Sequence, residues 1–314
     1  MDEYDIIALL TKTAGRLPAG YSPIGDDVAS LGTSAGRLIL KADMLVRRTD
    51  VPPGMTWRQV GRKAVAMCVS DFASKGVRPT AFMVSLGIPR KTRPGEIRSL
   101  ARGFRDGIEE WGPHLVGGDT NEADDLIVDC ILVGFAEHHV ERRGARPGDL
   151  VVVTGDFGTT SAGLKILLDG ARCESRFRRA ALKNVYLPVP RLELGVALGG
   201  MLSSAMDSSD GLAICLHTLA DASGVGIRLD SLPYAKELER FASLNHYRLE
   251  ELVLFGGEEY EIVCTVPKDR LEAAMKVAGS LSSELRVIGE VTKGGGVMKQ
   301  DGKTVEKKGW IQLG

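Results

Sequence analysis

Apolar residues recur at three- and four-residue spacing from Thr56 to Lys75, where Val60, Ala64, Met67 and Cys68 share one side. This pattern predicts a long helix, closed by Gly76 as a left-handed cap. Similar spacing predicts a helix from Pro94 to Trp111 and a short amphipathic helix from Glu3 to Thr13, with Ile6, Ile7, Leu9 and Leu10 on one side. Apolar runs predict strands at Val28 to Leu31 and Arg37 to Ala42, joined hairpin-fashion across a Gly-rich segment. Further strands are expected at Thr80 to Ile88 and at Leu126 to Phe135, the latter almost continuously apolar. A break follows at Arg146-Pro147-Gly148-Asp149. Beyond it come a buried-type strand from Leu150, a glycine turn at Gly155-Asp156-Phe157-Gly158 and a helix from Ser161 to Leu168. Helices are then expected near Arg191 to Leu202 and Leu212 to Ser223, and strands near Gly226 to Leu229, Tyr260 to Val266 and Arg286 to Val291. Strands alternating with helices predict an α/β (α+β) fold in both halves. We expect two domains, residues 1–140 and 141–314.

Composition supports this organisation. A chain of 314 residues can bury two cores. Its 44% apolar and 26% charged residues are those of a globular protein. The formal charge of −1 supplies no global basic field for nucleic acid or a membrane surface, so neither is expected as a partner. Basic residues do cluster locally, at Arg142, Arg143 and Arg146, and at Arg176, Arg178 and Arg179; the second group reads as solvated surface. The five cysteines show no C-x-x-C spacing. Cys68, Cys130, Cys215 and Cys264 lie in apolar runs, as small core residues of a reducing compartment do. The start Met1-Asp2-Glu3-Tyr4-Asp5 is acidic, and no stretch reaches the roughly 20 apolar residues of a membrane span. The expected location is the cytoplasm.

The candidate chemistry lies in carboxylates placed where strands end or turns begin. They are Gly25-Asp26-Asp27, Asp43, Ser70-Asp71, Gly117-Gly118-Asp119-Thr120 and Asp207-Ser208-Ser209-Asp210-Gly211. Hard cations such as Mg²⁺ bind through a few carboxylates plus substrate phosphates, so the set points to Mg²⁺-nucleotide held without a Walker loop. Asp71 falls inside a helix rich in Ala, Met and Cys and needs a partner or a metal there. Gly117 and Gly118 would let backbone N–H groups approach phosphate, with Asp119 on a bridging metal. Asp207 and Asp210 precede a helix, where the ordinary alternative is N-capping. In Gly256-Gly257-Glu258-Glu259-Tyr260-Glu261, Glu258 is the better candidate for a cationic ligand group. Glu259 reads as solvated and Glu261 as an outward strand residue. His217 reads as structural within its helix, and His138 and His139 fall at the interdomain turn.

These motifs, with Gly61-Arg62-Lys63-Ala64, Arg146-Pro147-Gly148-Asp149 and the Lys308-Gly309-Trp310 tail, resemble in order and spacing the thiamine-monophosphate kinase family. That family lies in the superfamily of aminoimidazole ribonucleotide synthetase and selenophosphate synthetase. The resemblance covers nearly the whole chain. It implies a mixed N-terminal sheet with helices that binds ATP and dimerises, and a C-terminal α/β domain that completes the site. It implies in-line transfer of a phosphoryl group from ATP, a co-substrate, to thiamine phosphate, assisted by several Mg²⁺ ions, in a homodimer. Asp27, Asp43, Asp71, Asp119, Asp207 and Asp210 match metal ligands, with Asp71, Asp119 and Asp210 central to catalysis. Gly118, Asp119, Arg142 and Ser209 match nucleotide contacts, and Glu258 and Trp310 match the pocket for a cationic thiazolium.

The chain departs from the family pattern at three places. Lys41 and Ala42 stand where two hydroxyl residues commonly precede Asp43. Asp50 replaces a His of the substrate pocket and is expected to hold the cationic portion itself. Arg47 and Arg48 stand where small or acidic residues are usual. Two other classes compete with the kinase reading. One is another ATP-dependent enzyme of the superfamily. A selenophosphate synthetase would carry a reactive Cys near its start, where none precedes Cys68, and a hydrogenase-maturation relative would end in a Cys-bearing tail, not Gln312-Leu313-Gly314. The other is an inactive nucleotide-binding regulator, which would have little need for six such Asp positions.

Overall fold

The structure, a computed structural model, describes residues 2–14, 17–22 and 24–311. The first half contains α1 (Glu3–Ala14), β1 (Ala29–Thr33), β2 (Gly36–Val46), the single turn α2 (Arg47–Asp50), α3 (Trp57–Ser74), β3 (Pro79–Ile88), α4 (Pro94–Trp111), β4 (His114–Glu122) and β5 (Ile127–Ala136). The second half begins with β6 (Leu150–Val153), α5 (Thr159–Leu168), α6 (Ser175–Tyr186), α7 (Leu192–Leu198), β7 (Ser204–Asp207) and α8 (Leu212–Ser223). It continues with β8 (Gly226–Leu229), α9 (Glu237–Asn245), α10 (Leu249–Leu254), β9 (Ile262–Val266), α11 (Leu271–Ser280), β10 (Arg286–Thr292) and β11 (Gly296–Lys299).

Each half builds one mixed sheet. The first has the order β1-β2-β5-β3-β4, antiparallel except for the parallel β3/β4 pair, which α4 connects. The second has the order β11-β8-β10-β6-β9-β7, with only β11/β8 parallel. The expected two-domain α/β architecture is therefore present. His114 to Glu122 forms a strand where a glycine turn was expected, and β2 runs on to Val46, so Asp43 lies inside it and not at its end.

Helix α3 holds the halves together. The side chain of its N-cap Thr56 accepts from the Gln59 backbone while Gln59 reaches back, a capping box, and Gly76 in the left-handed region follows its C-cap. Fourteen of its eighteen residues are buried, which one amphipathic face cannot explain. One side packs on β2 and β5, another on β7, β9 and α7. A single core accordingly joins Phe72, Phe82 and Leu132 of the first half to Leu198, Ile262 and Cys264 of the second. Contact with α4 is so close that a Cβ on Gly103 would sit 2.0 Å from the Arg58 carbonyl oxygen.

The first sheet is covered on one face only. Along β5, Val128, Cys130 and Leu132 are buried, while Phe135 is 62% exposed. Met44 of β2 and Met83 of β3 are also exposed, and the edge strand β4 is exposed throughout, Leu115 and Val116 included. The apolar side of α1 is likewise open at Ile7, Leu9 and Leu10. In the second sheet, every residue of β7 and β9 is buried. The four cysteines read as core residues are buried thiols. His217 is buried with Nε2 at 2.8 Å from the Val305 carbonyl, as its structural reading requires. Arg176, Arg178 and Arg179 are exposed on α6.

Candidate active site

Three of the predicted carboxylates converge where the halves meet. Asp27 lies in the turn before β1, Asp71 in the last turn of α3, and Asp207 at the end of β7. All three are buried, and one carboxylate oxygen from each lies within 4.8 Å of the others. The wedged position of α3 causes this meeting, since it brings Asp71 against the turn of one sheet and the strand end of the other.

The chain's own cations answer part of this charge. The Lys75 ammonium, fully buried, lies 2.6 Å from Asp27 and 2.7 Å from Asp26, and donates to the Ala205 carbonyl. Arg142 donates from Nε to Asp27 at 2.6 Å and from its backbone N–H to Asp26 at 2.8 Å. Lys41 Nζ lies 2.9 Å from Asp71 Oδ1. Burial disfavours charge on Asp27, but Lys75 and Arg142 outweigh it and hold its pKa below the ordinary value. Burial, with repulsion from Asp27, pushes Asp207 up to about 7. Asp71 goes well above its ordinary value because burial and repulsion from Asp207, Asp43 and Asp27 exceed the effect of Lys41. The negative charge is thus incompletely balanced within the protein.

A hard divalent cation fits this donor set. Three carboxylate oxygens this close can share one ion, and oxygen-only ligation suits Mg²⁺. Next to Asp207, the Ser208 hydroxyl is buried without a hydrogen-bond partner, an orphaned group that a ligand or hydrated ion would satisfy. Capping does not consume the segment, because α8 is preceded by Gly211 with no side-chain cap from Asp207, Ser208, Ser209 or Asp210.

The other predicted residues take different places. Asp43 faces Lys41 from the same side of β2, and its pKa is raised, by burial first, with Asp50 adding to it. Burial likewise pushes Asp210 to about 6, and Glu3 of α1 adds to it while Arg142 opposes. The Trp310 backbone N–H donates to the Asp210 carbonyl at 3.0 Å, so the tail crosses this loop with the Trp310 ring about half exposed. Ser209 accepts through its carbonyl from the Glu258 N–H at 2.7 Å. Gly118 and Asp119 are not gathered with the three. They lie on the edge strand β4, separated from β2 by β3 and β5, and Gly118 is needed because a Cβ there would sit 2.0 Å from the Val84 carbonyl oxygen.

The acidic region extends past Asp207 and Asp43 towards Tyr260, where Glu258 and Asp50 join it. Asp50 uses one carboxylate oxygen to accept from the Val46 N–H at 2.7 Å, stabilising the α2 turn. Lys63, fully buried, pairs with Glu258 and donates to the Asp50 carbonyl at 2.8 Å. Glu258 and Tyr260 both adopt left-handed backbone, at φ 62° and 54°, which non-glycine residues occupy only when held there. Glu259, expected in solvent, supplies the hold. It is buried and accepts from the Gly158 N–H at 2.6 Å, the Thr160 N–H at 3.2 Å and the Thr160 hydroxyl at 2.7 Å, at the start of α5. Glu261, expected outward, is buried against Arg191 and Thr154. Lys63 and Lys75 were given no role at the site from the sequence, and Glu259 was read as solvated. The first two carried the same signal as Asp71, a charge in the buried register of α3.

Both halves match known families. Residues 25–136 match the AIR synthase related protein N-terminal domain and residues 146–300 the corresponding C-terminal domain, so the chain is an AIR synthase related protein in both domains. It is 40% identical to the thiamine-monophosphate kinase of Nitrosopumilus maritimus over 99% of this chain and 98% of that protein. With that of Pyrococcus abyssi it shares 36% identity, over 100% of this chain and 96% of the relative. The solved structure of AaThiL complexed with AMPPCP and TMP superimposes with a TM-score of 0.89 at 31% identity, covering 99% of this chain and 96% of that one. The chain belongs to the thiamine-monophosphate kinase family.

Proposed function

We propose that this enzyme transfers the terminal phosphoryl group of ATP directly and in line to thiamine phosphate, giving thiamine diphosphate and ADP. The observation that carries the reading is the buried set of Asp27, Asp71 and Asp207 at the junction of the two sheets. Phosphoryl transfer asks chiefly for positioning and charge neutralisation, and this junction offers both. Mg²⁺ ions, several with nucleotide bound, would supply neutralisation of the phosphate oxygens, with Asp27, Asp71 and Asp207 as ligands in the chain and Asp43, Asp119 and Asp210 as further ones. Gly118, Asp119, Arg142 and Ser209 contact the nucleotide in this reading, Arg142 while tied to the Gly25-Asp26-Asp27 turn. Asp50, Glu258 and Trp310 take the cationic thiamine portion. Asp50 and Glu258 near Tyr260 against the single Lys63 leave one negative charge there, which favours a thiazolium.

The enzyme works as a homodimer through the bare face of the first sheet, where Met44, Met83 and Phe135 need cover. Incubation with ATP, Mg²⁺ and thiamine phosphate should yield thiamine diphosphate and ADP in equal amounts. Thiamine phosphate left unchanged by folded enzyme would refute the reaction. A monomer in sedimentation at micromolar concentration would refute the assembly. Among the described residues no helix is long and apolar enough to cross a membrane.

A further inference from the structure

We propose that the Lys41 ammonium is a built-in cation of the catalytic cluster, occupying the place of one divalent ion, so that the nucleotide-free enzyme takes up a single divalent ion there. The inference rests on the carboxylate cluster being the metal site of the proposed kinase. Its basis is where β2 puts the side chain. Successive residues of a strand point to opposite faces, so Lys41 and Asp43 share the face of Ile39 and Leu45, both fully buried against the helices. Lys41 is therefore directed into the cluster and not outward, and its Nζ lies 2.9 Å from Asp71 Oδ1 with the side chain 21% exposed. Asp43 and Asp207 are also within its electrostatic reach.

The division of partners is orderly. Lys75 and Arg142 serve Asp26 and Asp27 on one side of the cluster. Lys41 is the basic residue bonded to Asp71 on the other. With every carboxylate ionised, as a bound divalent ion would favour, Asp26, Asp27, Asp43, Asp71 and Asp207 face the three fixed cations Lys41, Lys75 and Arg142, leaving two negative charges. One divalent ion balances them. With a hydroxyl residue at position 41 three would remain, beyond what one divalent ion neutralises.

The test counts bound metal and does not depend on turnover. Mn²⁺ is titrated into the nucleotide-free full chain, with free ion read by electron paramagnetic resonance. Wild type should hold one Mn²⁺ per chain. Lys41→Met, which keeps the stem and removes the charge, should bind Mn²⁺ at least about tenfold more tightly or take up a second ion, because a repelling cation has left the cluster. Lys41→Gln should behave in the same way, and Lys41→Arg should match wild type, so a folding failure of one neutral variant leaves the other to decide. Unchanged or weaker Mn²⁺ binding in a folded neutral variant overturns the proposal, as does a wild type that binds no Mn²⁺ or two. The same wild-type preparation is assayed for thiamine diphosphate formation. Loss of that activity with the Mn²⁺ pattern intact removes the kinase reading alone; the converse removes Lys41 alone.

Discussion

The two sheets of this protein solve the problem of burying a strand in opposite ways. In the second sheet the strands nearest the junction, β7 and β9, are buried at every position. In the first, β5 alternates between buried residues facing α3 and partly exposed, mostly apolar residues facing outward, ending at the exposed Phe135. The closed sheet can hold a strained loop in place, and the Glu258 to Glu261 segment is fixed by bonds to α5, Arg191 and Thr154. The open sheet instead presents polar residues on an exposed edge, Asp119 among them. A rigid loop at Glu258 to Glu261 comes from one half and an uncovered apolar face from the other.

If the site needs both halves, neutralising one carboxylate from either should be equally damaging. Asp71→Asn, from α3, and Asp210→Asn, from the loop after β7, should each lower kcat by at least about a hundredfold while the fold persists. Steady-state rates with matched circular dichroism check this, and a tolerated change on one side would assign catalysis to the other half.

The sheets themselves can be contrasted with one charge each. Val263→Asp places an unpaired carboxylate within a fully buried strand and should destabilise by about 3–5 kcal/mol or prevent folding. Phe135→Asp, on the bare face, should leave the melting transition of the chain near its original position and yield monomers in sedimentation. A stable Val263→Asp protein, or a Phe135→Asp protein that remains dimeric, would remove the distinction.

The strained loop gives a pH-dependent comparison. Burial pushes Glu259 up to about 7 from an ordinary 4.5, despite its bonds to Gly158 and Thr160. A carboxyl whose folded pKa is raised contributes stability below its unfolded pKa and loses it as pH rises through the folded one. Glu259→Gln keeps the shape without the charge. The two proteins should differ little in pH dependence below 4.5, and between there and pH 7 or above wild type should lose up to roughly 3 kcal/mol relative to the variant. Parallel stability curves across that range would show that Glu259 is not held protonated by its surroundings.

The smallest effect is expected at Asp50, which lies in the α2 turn after β2 of the open sheet and in the proposed substrate pocket. Asp50→Ala should raise KM for thiamine phosphate about tenfold and leave KM for ATP nearly unchanged. A loss of thermal stability with both constants constant would reduce Asp50 to its bond with the Val46 N–H.

Local pattern determined much of this protein. Periodicity placed α3, α4 and α8 within a residue or two of their observed ends, and the carboxylates were legible because Asp beside Gly or Ser at a strand end is a short-range signal. The segment His114 to Glu122 was not legible as a strand, since its two glycines signal a turn and only the parallel neighbour β3 makes it extended. Glu259 and Glu261 looked solvated for a comparable reason, because their partners Thr160 and Arg191 are about 100 and 70 positions away. The sequence alone therefore marked the carboxylates that are candidates for binding a cation and most of the elements that carry them, Asp119 on β4 being the exception. Only the tertiary structure decided that Asp27, Asp71 and Asp207 meet while Asp119 stays apart, and that Lys41 joins them. Such choices depend on how α3 is wedged between two sheets, and long-range packing leaves no periodic trace in the chain.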